Sequence, residues 1–306
     1  MQLRKMEPSD RAEVAELICV STNNWYQARG GGPIFPDGPL ATAAFFDVYE
    51  ALDPGYNVVA QCKQSGRLMG SCFFHPRPTH ISLGILNVHP DHFGQGVART
   101  ILQHIIDIAD HEEKPLRLVS SAMNLDSYSL YTRAGFVPRE TYQDMMLAVS
   151  DDGFPHSPPG MENIREATSA DVESMSRLEM DLVGIHRDKD FKFFIENADG
   201  QWHVSIYENS HGTIDGFMAS STHSGCNMIG PGAAKTPQQA AALVAAELDR
   251  HRGRSPVMLV PVNRPTLVKQ MYDWGAKNCE MHFSQVRGQA HSVDGIFMPT
   301  FLPESA

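Results

Sequence analysis

Two glycines lie in the stretch VHPDHFGQGVART, residues 88–100, where a strand-like run gives way to an apolar helical pattern. Gly94 and Gly96 could bind a phosphate, because the backbone N–H groups at a helix N-terminus attract anions. They could equally form a tight turn, since glycine adopts a positive φ at little cost. A lone glycine pair does not distinguish a phosphate site from a turn.

The common nucleotide-binding motifs do not match this stretch. A dinucleotide fingerprint needs a third glycine where Arg99 stands, and it lies near the first strand of its domain rather than after a helix and three strands. No G-x-x-x-x-G-K-[ST] motif occurs anywhere in the chain. These observations argue against a nucleotide-dependent oxidoreductase and against a P-loop kinase or ATPase.

A second motif, NLDSYSLYTRAGF, covers residues 124–136. Together with the glycine stretch it resembles the GCN5-related N-acetyltransferases, the GNAT superfamily. Residues 93–98 are similar to the family's pyrophosphate segment [QR]-x-x-G-x-[GA], with Phe93 in place of Gln or Arg, and residues 88–90 supply the preceding V-x-P. The second motif follows N-x-x-[AS]-x-x-L-Y-x-x-x-G-F, and its matching residues are Asn124, Ser127, Leu130, Tyr131, Gly135 and Phe136.

This resemblance implies acetyl-CoA as the co-substrate, with N–H groups from Gly94 to Ala98 around the pyrophosphate and the end of a strand against the thioester. It implies that Tyr131 protonates the departing thiolate as a general acid. The alternative for Tyr131 is an aromatic residue that only packs. The implied cofactor-binding residues are Leu86, Asn87, Val88, Phe93, Gly94, Gln95, Gly96, Val97, Ala98, Asn124, Ser127 and Tyr131.

The general base is not evident, because the strand that ends at Val88 contains no Asp or Glu. His80, His89 and a water chain remain as alternatives, since histidine titrates near neutral pH. We expect the acceptor to bind at a loop after the first helix, where polar and aromatic residues cluster. The candidates are Asn23, Asn24, Trp25 and Tyr26, and their alternative role is to anchor a Gly-rich loop.

Sequence periodicity predicts the elements that would hold these residues. A helix begins after Ser9 or Asp10, and residues 21–39 are expected to form a long loop or a broken helix. Two strands flank Ser65 and Gly66 as a hairpin. Further strands are predicted over residues 80–90, 116–122 and 141–149, and a helix is predicted between each strand and the next. The first of these two helices has an apolar face formed by Val97, Ile101, Ile105 and Ile108.

The second half of the sequence repeats the first. The run from Leu3 to Leu17 is echoed by the run from Ile164 to Leu178, and the later motifs recur in the same order. Residues 150–162 are dense in Pro, Gly and Ser, which is typical of a linker. We therefore predict a mixed α/β (α+β) chain of two tandem acyl-CoA N-acyltransferase folds, each a mostly antiparallel mixed sheet flanked by helices, over residues 1–149 and 163–306.

The motifs of the second half differ from those of the first. GPGAA, residues 230–234, is the expected counterpart of the first glycine turn, and Met271 stands where Tyr131 stands in the first half. The favoured interpretation is a degenerate copy that lacks full cofactor binding. The alternative is a distinct CoA-binding subtype, in which His186, Arg187 and Asp188 shape a pocket rather than a solvated turn.

The composition limits the classes of partner that the protein is expected to bind. The formal net charge of −11 and the lack of a basic stripe argue against nucleic acid and anionic membranes. Five scattered cysteines, no signal sequence and no long apolar run are typical of a cytoplasmic protein with reduced thiols. No metal is expected, and a homodimer is left open. We expect an N-acetyltransferase that modifies a small-molecule amine rather than a protein lysine; the alternative is a CoA-binding sensor or scaffold without turnover.

Overall fold

A computed structural model describes residues 1–304. The chain forms two compact units, described separately here. The first contains residues 1–76, 80–116 and 301–304, and the second contains residues 77–79 and 117–300. This division differs from the predicted repeats, since the predicted linker, residues 150–162, lies inside the second unit. The boundaries of the two repeats stay a prediction from the sequence.

The first unit is an antiparallel sheet with three helices. Its strands run in the order β1-β2-β3-β4, and each pair is antiparallel. The elements are β1 (Gln2–Lys5), α1 (Arg11–Gln27), α2 (Pro39–Leu52), β2 (Val58–Gln61), β3 (Leu68–Pro76), β4 (Ile81–Val88) and α3 (Val97–His111). The predicted hairpin is confirmed as β2 and β3.

Helix α1 runs to Gln27, so a loop that begins at residue 21 is wrong, and the predicted alternative of a broken helix matches the gap over residues 28–38 between α1 and α2. Helix α2 has no counterpart in the predicted elements. It begins with Pro39 at its first position and is buried on nearly every face, which hides the helical period from the sequence. The two helices contact each other, and Thr42 Oγ1 donates to the carbonyl oxygen of Ala15 at 2.6 Å.

Helix α3 packs closely on the sheet through a glycine. A Cβ at Gly70 of β3 would stand 2.9 Å from Val97 Cγ1 and 3.1 Å from Ile101 Cδ1. Val97 and Ile101 are buried as predicted, but Ile108 is only partly buried and Ala109 completes the core-facing side. The close contact holds the first turn of α3 against the sheet.

Besides residues 77–79, the described part of the second unit runs from strand β5 (Leu116–Ser121) onward and holds five α-helices. Its helices are α4 (Leu125–Arg133), α5 (Val172–Val183), α6 (Asp188–Glu196), α7 (Pro237–Arg250) and α8 (Pro265–Asp273). Its other strands are β6 (Val137–Met146), β7 (Ile164–Glu166), β8 (Trp202–Glu208), β9 (Ile214–His223), β10 (Cys226–Ala234), β11 (Val257–Pro261), β12 (Lys277–Arg287) and β13 (Ile296–Met298). No helix within residues 1–304 combines the length and the apolar character needed to cross a membrane.

One strand of each sequence half, β6 of the first and β12 of the second, lies beside a strand of the other half. The strand order of the second unit is β5-β12-β6-β11-β10-β9-β8-β7, with β13 beside β10. Strand β12 therefore lies beside β5 of the first half, and β6 lies beside β11 of the second half. β6 and β12 also pair with each other, antiparallel, from Lys277 to Val286. We call β6 and β12 the exchanged strands.

The predicted fold class is confirmed: the chain is mixed α/β, with mostly antiparallel sheets flanked by helices. The exception among the described ladders is the parallel pair of β10 and β11. Around this pair the core of the second unit is apolar, with Leu243, Met258, Val260 and Met271 all fully buried. The predicted linker contacts the rest of this unit, since the N–H of Phe154 donates to Asp249 Oδ1 at 2.9 Å.

Candidate functional site

Gly94 and Gly96 both adopt the left-handed region, with φ of 74° and 76°. Residues with a Cβ rarely adopt this region, so the turn favours glycine at both positions. Gly96 is the N-cap of α3, and no side chain of residues 1–304 caps the helix there. The tight turn leads directly into the helix, so the two interpretations of these glycines, a tight turn and a phosphate site at a helix N-terminus, are compatible.

The N–H groups at the start of α3 suit an anion. Within the described chain, five of them donate to no protein acceptor: those of Gly94, Gly96, Val97, Ala98 and Arg99. The N–H of Gln95 is different, because it points at the carbonyl oxygen of His92 at 3.4 Å. No heavy atom lies within 4 Å of where a Cβ of Gly94 would stand. An open turn with unpaired donors at the positive end of a helix dipole favours a phosphate group.

Phe93, which replaces the family's Gln or Arg, projects outward and is half-exposed. Its N–H donates to the carbonyl oxygen of Pro90 at 3.1 Å, so it closes the short 3₁₀ turn after β4. The Gln95 side chain reaches back to the Asp91 carbonyl oxygen at 3.0 Å. Phe93 and Gln95 therefore shape the turn, and the open donors come from the residues around them.

Strand β4 contains a bulge that the sequence did not predict. Between two successive paired positions, β4 contains two residues where β3 contains one, and the extra residue lies at or next to Gly84. A Cβ at Gly84 would stand 2.7 Å from the hydroxyl oxygen of Tyr49, so glycine is needed for this close approach. A bulge bends its strand and re-aims the residues that follow, which here are Leu86, Asn87 and Val88.

Asn87 has one satisfied and one unsatisfied polar atom. Its Nδ2 donates to Ser21 Oγ at 2.5 Å. Its Oδ1 is buried and accepts no hydrogen bond from residues 1–304. A buried acceptor without a donor costs about 1–3 kcal/mol, and an amide N–H of a bound ligand would remove that cost. The predicted cofactor residue Asn87 therefore fits an amide-bearing ligand such as the pantetheine arm of acetyl-CoA.

The predicted acceptor residues lie in the last two turns of α1, not in a loop. Asn23 serves as an anchor, because its side chain exchanges two hydrogen bonds with the backbone of Phe35, at 2.9 and 3.0 Å. Trp25 and Tyr26 pack edge to face at 4.8 Å. Asn24 is exposed. The structure thus supports anchoring for Asn23, and an acceptor role for Asn24, Trp25 and Tyr26 stays a prediction.

In the second unit, α4 holds the remaining predicted cofactor residues. Asn124 caps the helix, since its Oδ1 accepts the N–H of Ser127 at 3.1 Å. Tyr131 is mostly buried, and its ring stands 5.7 Å from that of Phe136. This packing fixes the ring whether or not its hydroxyl group transfers a proton. The general-acid role of Tyr131 stays a prediction.

The GPGAA segment is not the counterpart of the first glycine turn, and that expectation is wrong. Residues 230–234 lie inside β10, where β9 and β13 pair with Gly232, Ala233 and Ala234. A Cβ at Gly232 would collide with the side chain of Met218, so packing explains this glycine. Only Lys235 and Thr236 separate β10 from α7, whereas residues 89–96 separate β4 from α3. The second half therefore presents no glycine turn before its equivalent helix.

The segment from His186 to Asp188 is not simply a solvated turn, because its central residue belongs to a buried ion pair. Arg187 is fully buried and pairs with Glu179 through two short contacts. Arg77 pairs with Asp190 in the same way, and both side chains are buried. Such pairs fix the junction between α5 and α6. A pocket-shaping role for His186 and Asp188 stays a prediction.

One group of side chains was missed by sequence reasoning. Asp144, Glu280 and His282 stand together on the exchanged strands, with potential ligand atoms within 4.8 Å of one another. Their separation along the chain is large, and no motif links them. Only the pairing of β6 with β12 brings them together.

Comparison with known proteins gives two matches to family models. The model described as "Acetyltransferase (GNAT) family" matches residues 13–136. The model described as "Acetyltransferase (GNAT) domain" matches residues 175–291. The first range lies within the first predicted repeat and the second within the second, so the same family is found twice along the chain.

Individual relatives are distant. UPF0157 protein YqkA of Bacillus subtilis is 34% identical over 90 residues, which is 28% of this chain and 26% of that protein's length. Among solved structures, one from Pyrococcus horikoshii, whose name refers to an acetyltransferase, superposes with a TM-score of 0.78 at 14% identity and covers 99% of this chain and 95% of that one.

Two further structures share the fold over most of the chain. A GCN5-related N-acetyltransferase from Sphaerobacter thermophilus has a TM-score of 0.64 at 17% identity, with 96% of this chain and 97% of that chain covered. A tandem GNAT protein from the clavulanic acid biosynthesis pathway has a TM-score of 0.60 at 14% identity, with 95% and 99% covered. At these identities the similarity establishes the tandem fold alone.

Proposed function

The chain belongs to the GNAT acetyltransferase family in both of its halves, and we propose that it transfers the acetyl group of acetyl-CoA to a small primary amine. The observation that carries the proposal is the start of α3. There, positive φ at Gly94 and Gly96 forms an open turn whose N–H groups have no acceptor among residues 1–304. A pyrophosphate is the part of acetyl-CoA that such a turn binds.

The proposed reaction is direct attack in a ternary complex. The N–H groups around Gly96 hold the pyrophosphate, and the end of β4 from Leu86 to Val88 lies along the thioester arm. The neutral amine attacks the thioester carbon, and backbone donors that face the carbonyl oxygen stabilise the negative charge that develops there. The C–S bond then breaks, and the thiolate takes a proton from Tyr131. The attacking nitrogen loses one proton to water, and Tyr131 regains a proton from water. The products are an N-acetyl amide and CoA.

The test is calorimetric titration of acetyl-CoA into the native protein and into a Gly96→Glu variant. Glutamate places a negative charge at the phosphate and adds a Cβ at a positive φ, so we expect binding by the native protein and a loss of affinity of about a hundredfold or more in the variant. Acetyl-pantetheine, which lacks the pyrophosphate, should bind both proteins with equal and weaker affinity.

A matched control separates charge at the phosphate from backbone strain. Gly66 also has a positive φ of 73°, and no atom lies within 4 Å of its Cβ position, but it lies in the hairpin between β2 and β3. The Gly66→Glu variant should bind acetyl-CoA as the native protein does. Equal binding by native and Gly96→Glu proteins, or none by the native protein, would overturn the proposed site. Binding without CoA release in the presence of any amine would favour a sensor or scaffold.

A further inference from the structure

A cavity of about 830 Å³ lies within the second unit, on the side of its sheet that α7 contacts. Its floor is formed by β7 and β8, one wall by the C-terminal half of α7, and another wall by the predicted linker, residues 150–162. The volume is within the range of sites that hold small molecules. Every lining residue belongs to the second unit, so the cavity shares no residue with the glycine turn before α3.

The linker is attached to the rest of the unit near both of its ends. The N–H of Phe154 donates to Asp249 Oδ1 at 2.9 Å. Toward the other end, a Cβ at Gly160 would stand 2.9 Å from the ring of Tyr207, and Asn163 Nδ2 donates to the hydroxyl oxygen of the same tyrosine at 2.8 Å. The linker is therefore a wall of the cavity as well as a connection between the two repeats.

At the floor of the cavity, His203 contacts a carboxylate that is completely buried. His203 Nδ1 lies 2.9 Å from Glu247 Oε1, and the hydroxyl group of Ser220 donates to Glu247 Oε2 at 2.6 Å. No arginine or lysine of residues 1–304 forms an ion pair with Glu247. His251 is neutral near pH 7, because burial lowers its pKa to about 4. A buried carboxylate needs a compensating positive charge, and His203 is the group that supplies it.

Two protonation states leave the pair of His203 and Glu247 without a net charge. In one, the histidine is an imidazolium and the glutamate is ionised. In the other, the glutamic acid donates to Nδ1 of a neutral histidine. Nε2 carries a proton in both states, because a neutral ring that accepts at Nδ1 is protonated at Nε2. Nε2 of His203 is buried and makes no hydrogen bond with residues 1–304, so it is a donor that lacks an acceptor.

One carboxylate of the cavity lies close to this donor without bonding to it. Glu166 Oε2 is 3.8 Å from His203 Nε2, which is longer than a hydrogen bond. The Glu166 side chain is 69% exposed, and its carboxylate accepts no hydrogen bond within the described chain. It is therefore free to turn into solvent, and an oxygen atom of a ligand would then accept the hydrogen bond from Nε2.

The rim of the cavity has a cation without a partner. Arg250 is exposed and forms no ion pair or hydrogen bond among residues 1–304. The other two arginines of the lining are occupied, since Arg165 pairs with Asp171 and Arg252 pairs with Asp249, both at 2.8 Å. Arg250 is thus the guanidinium group of the cavity that is available to an anion.

We propose that the cavity binds a small organic anion, with His203 Nε2 and Arg250 as donors to its carboxylate or phosphate oxygens. Carboxylates and phosphates are the groups to which such donors bond most strongly. Phe154, Met161 and Ile164 line the same cavity and provide apolar surface for the hydrocarbon part of the ligand. This inference goes beyond the proposed function, because it concerns a second ligand and a different part of the chain.

The test is calorimetric titration of the native protein with four probes: phenyl phosphate, benzoate, benzamide and inorganic phosphate. We expect one binding site for phenyl phosphate or benzoate, and the tighter of the two identifies the anion as a phosphate or a carboxylate. Benzamide has the same ring as benzoate but no charge, so it should bind about tenfold or more weakly than the better probe. Inorganic phosphate should bind more weakly than phenyl phosphate, because it has no hydrocarbon part.

Variants of the cavity assign the site. Arg250→Gln should weaken binding of the better probe about threefold or more, and Glu166→Gln should strengthen it about threefold, because a nearby negative charge is removed. The double variant His203→Phe with Glu247→Gln removes the donor together with the carboxylate that it balances, and should weaken binding about tenfold or more. Arg139→Gln is the matched control, since it makes the same charge change at an exposed position of β6 outside the cavity. It should bind the probe as the native protein does.

Thermal unfolding of each variant reports on folding. Arg250→Gln and Glu166→Gln still test the site if the double variant is unfolded, because neither native side chain bonds to another side chain. Gly96→Glu should bind the probe as the native protein does, whether or not acetyl-CoA binds to either protein. Loss of the probe in Gly96→Glu would assign it to the turn before α3 and overturn the inference. Native affinity in Arg250→Gln, equal binding of benzamide, binding of inorganic phosphate alone, or no binding of any probe would also overturn it.

Discussion

Glycines of the two halves show how one residue type serves different physical needs. Gly94 and Gly96 have positive φ, and a Cβ would meet no atom at Gly94 and only Arg99 Nη2, at 3.6 Å, at Gly96, so backbone conformation is the reason for glycine. Gly232 has ordinary backbone geometry and a neighbouring side chain where its Cβ would be, so packing is the reason. The letters G-x-G look alike in both halves, and only the local structure separates an open turn with free N–H donors from a crowded strand.

Substitution of Tyr131 tests the general-acid role at the residue scale. Phenylalanine keeps the ring that packs against Phe136 and removes only the hydroxyl group, so the fold should persist. If Tyr131 protonates the thiolate, Tyr131→Phe should lower kcat about a hundredfold and leave the acetyl-CoA KM unchanged. The measurement is the rate of CoA release at saturating acetyl-CoA, with the primary amine that the native protein acetylates fastest.

Tyr128→Phe is the control for this prediction. Tyr128 lies on the same helix, and its ring stands 5.7 Å from that of Phe283. It should retain the native kcat. A native kcat in Tyr131→Phe as well would show that Tyr131 is a packing residue.

At the scale of elements, the two halves begin with the same construction. In the first, Arg4 pairs with Asp10, and Asp10 Oδ2 accepts the N–H of Glu7 at 2.8 Å. In the second, Arg165 pairs with Asp171, and Asp171 Oδ2 accepts the N–H of Thr168 at 2.7 Å. Each joins the first strand of its half to the helix that follows. This identity at equal spacing is structural support for the repeat inferred from the sequence.

The second of these pairs makes stability depend on pH. The hydrogen bond from Arg165 lowers the pKa of Asp171 to about 2 in the folded chain. A lowered pKa stabilises the fold above the unfolded-state value near 4 and loses that effect as pH falls toward 2. We expect Asp171→Asn to reduce the free energy of unfolding by about 1 kcal/mol at pH 7, after allowance for solvent screening.

The measurement is urea unfolding of native and Asp171→Asn proteins at pH 7 and pH 3. The difference between them should be smaller at pH 3, because part of the native carboxylate effect is lost there. Asp199→Asn, at an exposed position, should match the native protein at both pH values. A difference that is equal at pH 7 and pH 3 would show that the Arg165 contact does not carry the effect.

For the whole molecule, the exchanged strands decide what can fold alone. Strand β12 lies between β5 and β6, and β6 lies between β12 and β11, so each half completes the sheet of the other. Central strands carry hydrogen bonds on both sides, and a half without its partner would expose an unpaired edge. The two repeats are therefore one folding unit in this region, although each matches the family by itself.

We expect the separate halves, residues 1–149 and 163–306, to be aggregated or largely unfolded when each is produced alone. Co-production should yield a soluble complex of both halves, and the full chain should unfold in one main calorimetric transition. The measurements are circular dichroism, size-exclusion chromatography and scanning calorimetry. A monomeric first half with cooperative unfolding would show that β6 pairs within its own half in solution.

The sequence by itself determined the family, the repeat, most elements and the glycine turn before α3. These depend on local requirements, such as positive φ at Gly96 and the Asn124 cap, that a short motif records. Helix α2 was not predicted, because burial on nearly every face removes the helical period of apolar and polar residues from its sequence. The exchanged strands and the cluster of Asp144, Glu280 and His282 were decided by the tertiary structure alone. Strand pairing between residues more than a hundred positions apart depends on the whole sheet, and no local pattern encodes that choice.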